Sequence, residues 1–331
     1  MTRQPTINRR QAASLVGGAL IASACPLVQA QSSYPSKPVK LVVTYASGGA
    51  NDLTARIYAI LLGDKFKQSF IVENRPGASG VTGTMGVARG ESDGYTLLLG
   101  AGGTMTINPV LLPNIPYDPL RDFAPIGLAA QAPLVVLVPP NLPVNSIQDL
   151  IRYAKSRKEV ISYASPGAGT PLHLAAEMFM HQAGLTALHV PYRGSAPALT
   201  DLMAGRVDLM FDVQGSSLQF VKAGKLRALA VTSMQRSTYL PDVPTLHESG
   251  LKDFEVTSWF ALFAPIQTPA DVVAQLSQSL QAVAQTPEAS AKLAPLGMSP
   301  ANSTPQALRE LVQKEQAKWR EIIKRANIKV E

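Results

Sequence analysis

Short apolar runs alternate with glycine-rich turns and helical periodicity along most of the chain. Residues 39–45 lead through Gly48 and Gly49 into a helical pattern over 52–62, residues 70–73 pass through a turn at 77–80 into 81–89, and residues 95–100 run into Gly102, Gly103 and Thr104. The runs are continuously apolar rather than alternating, which predicts strands of a parallel sheet covered on both faces. After a further apolar run at 134–138 and the pair Pro139-Pro140 the theme resumes, with strands at 161–164, 187–190, 209–212 and 226–231 and helices at 146–155, 170–183, 196–204 and 216–223. A last apolar run at 256–264 is followed only by helical patterns, at 269–285 and 304–328. In the second of these Leu308, Leu311, Val312, Trp319, Ile322, Ile323 and Ala326 fall on one face, which must be covered. The class is α/β.

Chains beyond ~250–300 residues tend to split their core, and this one has 331 residues. The two strand sets therefore predict two lobes, each a mostly parallel sheet flanked by helices. Helices without new strands are most easily placed on an existing sheet, so residues 31–133 plus 265–331 are assigned to one lobe and 139–255 to the other. The chain then crosses twice, near 134–138 and 256–264, and two hinge crossings let one lobe close on the other over a solute. Open parallel sheets bind ligands at the carboxyl ends of their strands. Those ends are where this sequence places its glycines.

Composition narrows the compartment and the partners. Arg3, Arg9 and Arg10, an apolar stretch over 12–27 and the small-residue pattern Val28-Gln29-Ala30 read as a secretory signal peptide, residues 1–30, cut after Ala30. The Arg9-Arg10 pair as a twin-arginine address and lipidation at Cys25 are competing readings of the same segment. Of the net charge of +7, three positive charges sit in this leader, leaving +4. Such a field recruits anions, but no Lys/Arg run offers a nucleic-acid track. Cys25 is the one cysteine, so the chain beyond Ala30 has no thiol, disulfide or cysteine metal site. With 46% hydrophobic and 16% charged residues, the rest reads as ordered throughout.

The candidate chemistry lies in the loops. In Ser47-Gly48-Gly49-Ala50-Asn51-Asp52 the glycines turn backbone N–H groups outward and the following helix N-terminus adds partial positive charge, a cradle suited to a carboxylate. Asp52 is either part of that site or a helix cap paired with Arg56 one turn on. The loops at 74–80, with Ser79, and 100–104, with Thr104, repeat the arrangement, and Ser165, Gly167, Thr170 and Tyr192 offer donors from the second lobe. Arg193 is an ionic clamp or a solvated loop charge, and Asp212 orients a ligand group or satisfies a neighbouring loop. Gly-x-Ser-x-Gly is absent, and His173, His181, His189 and His247 form no His-Glu-x-x-His, so neither a serine-hydrolase elbow nor a metal centre is predicted. No nucleotide-binding glycine motif is present either, and no cofactor is expected.

Taken in order, the loops resemble a known family. Gly48-Gly49-Ala50-Asn51-Asp52 with Ala55-Arg56, Val72-Glu73-Asn74-Arg75-Pro76-Gly77, Asp93-Gly94-Tyr95-Thr96-Leu97-Leu98, Pro191-Tyr192-Arg193-Gly194 with Pro197-Ala198-Leu199-Thr200-Asp201-Leu202, and Pro241-Asp242-Val243-Pro244-Thr245 are similar to the Bug-type solute receptors of tripartite tricarboxylate transporters. The resemblance implies a two-lobed periplasmic binding protein fold, type II-like, without catalytic activity. It implies a monomer in the periplasm that holds a di- or tricarboxylate, amino acid or aromatic acid and hands it to membrane permease subunits. A sensory module reporting to a membrane kinase is the alternative, and an exported hydrolase a third. Two departures stand out: Thr44 and Ser47 where the family usually carries a proline-flanked Pro-Gly-Gly, and Arg193 where it often has Lys. Ser47 leaves the identity of the solute open.

Overall fold

The computed structural model describes residues 34–192, 194–325 and 327–328, and every element below belongs to the unit that begins at Lys37. The leader reading of residues 1–30, with Cys25 and the cut after Ala30, lies outside the described residues, as do Arg193 and Ala326.

Strands β1 (Val39–Val43), β2 (Phe70–Asn74) and β3 (Thr96–Ala101) alternate with helices α1 (Ala50–Phe66) and α2 (Val81–Ala88), and β1 pairs in parallel with both β2 and β3. Leu41, Val42 and Val43 of β1 and Leu97, Leu98 and Leu99 of β3 are fully buried, as continuous apolar runs require when both faces of a sheet are covered. A π-helical turn (Gly103–Ile107) and the short α3 (Asn108–Leu111) lead to β4 (Phe123–Val138). Beyond α4 (Ile147–Ser156) a second parallel set forms: β5 (Ile161–Ser165), α5 (Pro171–Ala183), β6 (Ala187–Pro191), α6 (Ser195–Met203) and β7 (Leu209–Val213), with β5 between β6 and β7. The chain continues through α7 (Gln214–Lys222), β8 (Arg227–Val231), β9 (Thr257–Pro265), α8 (Ala270–Ala284), α9 (Pro287–Leu293), β10 (Ser299–Pro300) and α10 (Pro305–Arg325).

What joins the two sets is β4, 16 residues long. Its first part pairs antiparallel with β9, which pairs antiparallel with β3. Its last part, Leu134–Val138, pairs antiparallel with β7 on one edge and β8 on the other. The strand order is β2-β1-β3-β9-β4-β7-β5-β6. The architecture is therefore a curled, mixed sheet, parallel inside each set and antiparallel where β4 and β9 run between them. The predicted crossing at 134–138 is only the last third of the strand. Residues 123–133 carry Pro125, Gly127 and Pro133, which read as breakers. The β4–β9 ladder absorbs the first two with register shifts at Pro125/Gly127 and Leu128/Ala130.

The C-terminal helix belongs to both sets rather than to one. Leu308 and Val312 of α10 pack with Phe123, Trp259 and Phe263, whereas Trp319, with Ile322 and Ile323 beside it, packs with Ile107, Leu174 and Phe179. A second link is a backbone contact between Gly215, in the first turn of α7, and the Leu296-Gly297 turn after α9. A Cβ at Gly215 would stand 1.9 Å from the Leu296 carbonyl oxygen. Since the obstacle is backbone, Gly215→Ala is expected to lower stability by at least ~2 kcal/mol, read as the urea unfolding midpoint. An unchanged midpoint would show that the contact is not closed in solution.

Candidate functional site

The carboxyl ends of β1, β3 and β5, one end of β9 and the face of α10 enclose a cleft of about 470 Å3. The first set contributes Tyr45, Gly49, Ala50 and Asn51, then Ala101, Gly102, Gly103 and Ile107. The second contributes Pro166, Thr170, Pro171, Leu172 and Ser195. Thr257, Ser258 and Phe260 of β9 and Glu315 and Trp319 of α10 complete the lining. A groove of about 330 Å3 between α5 and α10 touches none of the glycine-rich loops.

Three helices start at this cleft: α1 at Ala50, α5 at Pro171 and α6 at Ser195. Each N-terminus brings unpaired N–H groups and about half a positive charge. Neither Gly49 before α1 nor Gly194 before α6 offers a capping side chain, while Thr170 caps α5 by accepting from the His173 amide. Among the described residues lining the cleft there is no Lys, Arg or His. Burial pushes the Tyr45 phenol up to about 12, so it stays protonated and able to donate.

Of the residues named from the sequence, Gly49, Ala50, Asn51 and Thr170 line the cleft. Asn51 is 5% exposed, and neither its amide nitrogen nor its amide oxygen has a hydrogen-bond partner. The others turn elsewhere, each for a local reason. Asp52 is an anchor of the first loop: it accepts from the Gly48 amide at 2.9 Å, Arg56 Nε at 2.9 Å and Asn74 Nδ2 at 3.0 Å. Burial alone would raise its carboxyl, but these bonds and the Arg56 charge outweigh it and hold the group below the usual carboxylate range. Gly48 is bent by that bond into a φ of +87°, and Ser47 is exposed outside the lining. Ser79, also exposed, is fastened through its carbonyl, which accepts from Asn108 Nδ2 at 2.9 Å. The Thr104 hydroxyl is consumed by Ala101 N and O, which closes the third turn and presents Gly102 and Gly103 instead.

In the second set Ser165 is fully buried behind the wall, 2.7 Å from His189 Nε2. Gly167 accepts from the Thr170 hydroxyl at 2.8 Å, and the Tyr192 hydroxyl donates to Asp201 at 2.8 Å. Asp212 is fully buried and reaches the cleft only through Ser195, whose hydroxyl donates to it at 2.7 Å; Ser216 donates from its other side at 2.6 Å. His173 and His189 stack with ring centroids 3.9 Å apart, and His173 Nδ1 accepts from the Gly169 amide at 3.0 Å. Burial and then the neighbouring His189 lower the His173 pKa to about 4, which keeps this acceptor in place at neutral pH.

Sequence reasoning missed Tyr45, the β9 residues and the α10 pair Glu315 and Trp319 as site residues. They carry no glycine signal, and Trp319 reads as one more apolar position on a helix face.

The family model described as "Tripartite tricarboxylate transporter family receptor" (TctC) matches residues 54–328. The chain is 33% identical to protein BugT of Bordetella pertussis, over 90% of this chain and 92% of that one. Among solved structures it is similar to Rpa4515 of R. palustris with adipate, at 37% identity, with 89% of this chain and 99% of that chain covered and a TM-score of 0.79. It is also similar to MatC from Rhodopseudomonas palustris with bound malate, at 30% identity, with 88% and 100% covered and a TM-score of 0.74.

Asp212 gives the site a pH signature. Burial pushes its carboxyl from 3.8 up to about 6, against the opposing bonds from Ser216, Ser195 and the Val213 amide. Between those values the folded chain keeps a proton that the unfolded chain has released, so this contribution to stability is complete below about 4 and lost as pH rises through about 6. Asp212→Asn, which does not titrate, is expected to gain ~2–3 kcal/mol on the wild type between about pH 3.5 and pH 7. Urea unfolding of both proteins at each pH measures this, and a constant difference would contradict it.

Proposed function

The chain belongs to the receptor family of the tripartite tricarboxylate transporters, and on that premise we propose that the cleft holds a small carboxylate with its oxygens at the helix N-termini of α1 and α6. The observation that carries the reading is Asn51: a buried amide with no partner, at an uncapped helix start, in a cleft without a cationic side chain among its described residues. A buried amide left unpaired is costly, and an anion seated there supplies an acceptor for its N–H while adjacent backbone N–H groups supply the remaining donors. The adipate of Rpa4515 and the malate of MatC are ligands of the same chemistry in relatives.

Magnitudes favour a grip from both strand sets. Micromolar affinity needs ~8 kcal/mol, whereas each hydrogen bond to a charged group nets ~1.5–3 kcal/mol before ordering costs. Donors of the Ala50–Asn51 start alone fall short, and the backbone N–H groups of the α6 start at Ser195 add the opposite side. The lobes of this reading are residues 31–133 plus 265–331 and residues 139–255, closing about 134–138 and 256–264. The leader at 1–30 supports a periplasmic receptor that delivers its solute to membrane permease subunits. The hydrolase alternative draws no support from Ser165, which is near His189 but fully buried and outside the cleft lining.

A thermal-shift panel of aliphatic and aromatic mono-, di- and tricarboxylates, amino acids and neutral sugars tests the proposal, since a bound ligand raises stability by RT ln(1 + [L]/Kd). At least one carboxylate is expected to raise the melting temperature. A sugar that does so while every acid leaves it unmoved would sink the reading. Asn51→Ala is expected to weaken the active acid ~10- to 100-fold, the loss of one or two charge-assisted bonds, with the unliganded melting temperature little changed.

A further inference from the structure

Glu315 is the one charged side chain among the described residues lining the cleft, and it is 6% exposed. Its position is fixed from three elements. Oε2 accepts from Trp259 Nε1 of β9 at 2.9 Å and meets the Thr106 hydroxyl of the π-helical turn at 3.1 Å, and Oε1 lies 3.5 Å from Lys318 Nζ one turn along α10. Lys318 does not line the cleft; its ammonium rests over the Trp319 ring and donates to the Glu255 carbonyl. The bond from Trp259 needs an oxygen at this place, not a charge, because the amide of a glutamine would serve it, and the Thr106 hydroxyl is shared with the Gly102 carbonyl at 2.7 Å. The negative charge is used by Lys318 at Oε1 and is otherwise presented to the cleft.

The cleft that Glu315 lines is partly apolar, with Ile107, Leu172, Phe260 and Trp319, and Thr106 links Glu315 to the Gly102 carbonyl. The donors suited to an anion lie on other elements, at the starts of α1, α5 and α6. Resting on the carboxylate reading above, we infer that Glu315 sets specificity by excluding a second negative charge, so that this receptor takes small monocarboxylates with an apolar body. A like charge brought within ~6 Å in a partly desolvated cleft weakens binding about 100-fold, and the Lys318 ammonium reduces this toward about tenfold. An apolar body instead gains by covering Phe260 and Trp319.

The test compares acids that differ only at the far end. Hexanoate and adipate share a six-carbon chain, monomethyl adipate keeps the far oxygens without the charge, and benzoate and terephthalate form the matching aromatic pair. By titration calorimetry on the wild type, at least one of hexanoate and benzoate is expected to bind. Its diacid counterpart should bind at least about tenfold more weakly, and monomethyl adipate should follow hexanoate. In Glu315→Gln the diacid is expected to come within about threefold of the monoacid by gaining affinity, while the monoacid changes little. A wild type that prefers the diacid, a monomethyl ester as weak as adipate, or a gap that survives in a Glu315→Gln protein melting like the wild type each overturns the inference. Binding of neither monoacid overturns it too; the wider panel then decides separately whether the carboxylate reading stands. Should Glu315→Gln fail to fold, the wild-type comparison with monomethyl adipate is decisive alone.

Discussion

A carboxylate leaving water gives up several strong hydrogen bonds, and a cleft without cations among its described residues has only oriented neutral dipoles to replace them. Most features around the cleft follow from that constraint. Helix starts deliver N–H groups only where strands end, so parallel strands with glycine turns are needed on both sides. The turns must be held open while the N–H groups of the helix starts stay free, which is the work of side chains facing backward: Asp52 on Gly48 and Asn74, Thr104 on Ala101, Asn108 on Ser79. A buried carboxylate at Asp212 fixes Ser195 by accepting its hydroxyl. The polar residues nearest the cleft are thus largely scaffolding for a few groups left unsatisfied, with Asn51 the most evident.

The same constraint explains the connection between the strand sets. On the proposed reading, donors on one side fall short of micromolar affinity, so two sets must face each other. β4 gives each set part of one continuous strand, and α10 packs its first half with one core and its second half with the other. Trp319 and Glu315 of that helix form one wall of the cleft.

Much of the fold was legible because continuous apolar runs bounded by glycines admit few other readings, as in β1 and β3. The first part of β4 was not, since Pro125, Gly127 and Pro133 are breakers until a long partner strand absorbs them. Within the site, glycine pointed to the loops but could not say which of their residues face the cleft. Ser47, Ser79 and Thr104 read as donors, yet none lines it: the Thr104 hydroxyl turns back on Ala101 and the Ser79 carbonyl is tied to Asn108, 29 residues away. The wall from β9 and α10 was hidden for a simpler reason: an aromatic at helical spacing is ordinarily core, and Trp319 is core on one side and cleft on the other. The ordered series of loops pointed to the family whose model spans residues 54–328.

The central claim is that one anion is gripped by backbone donors of both strand sets at once. Amide 15N–1H spectra recorded while titrating the acid that most raises the melting temperature test it directly. The amides of Ala50, Asn51, Leu172 and Ser195 are expected to move together along a single binding curve. Saturable binding that leaves these amides still, or moves only those of one set, would contradict it.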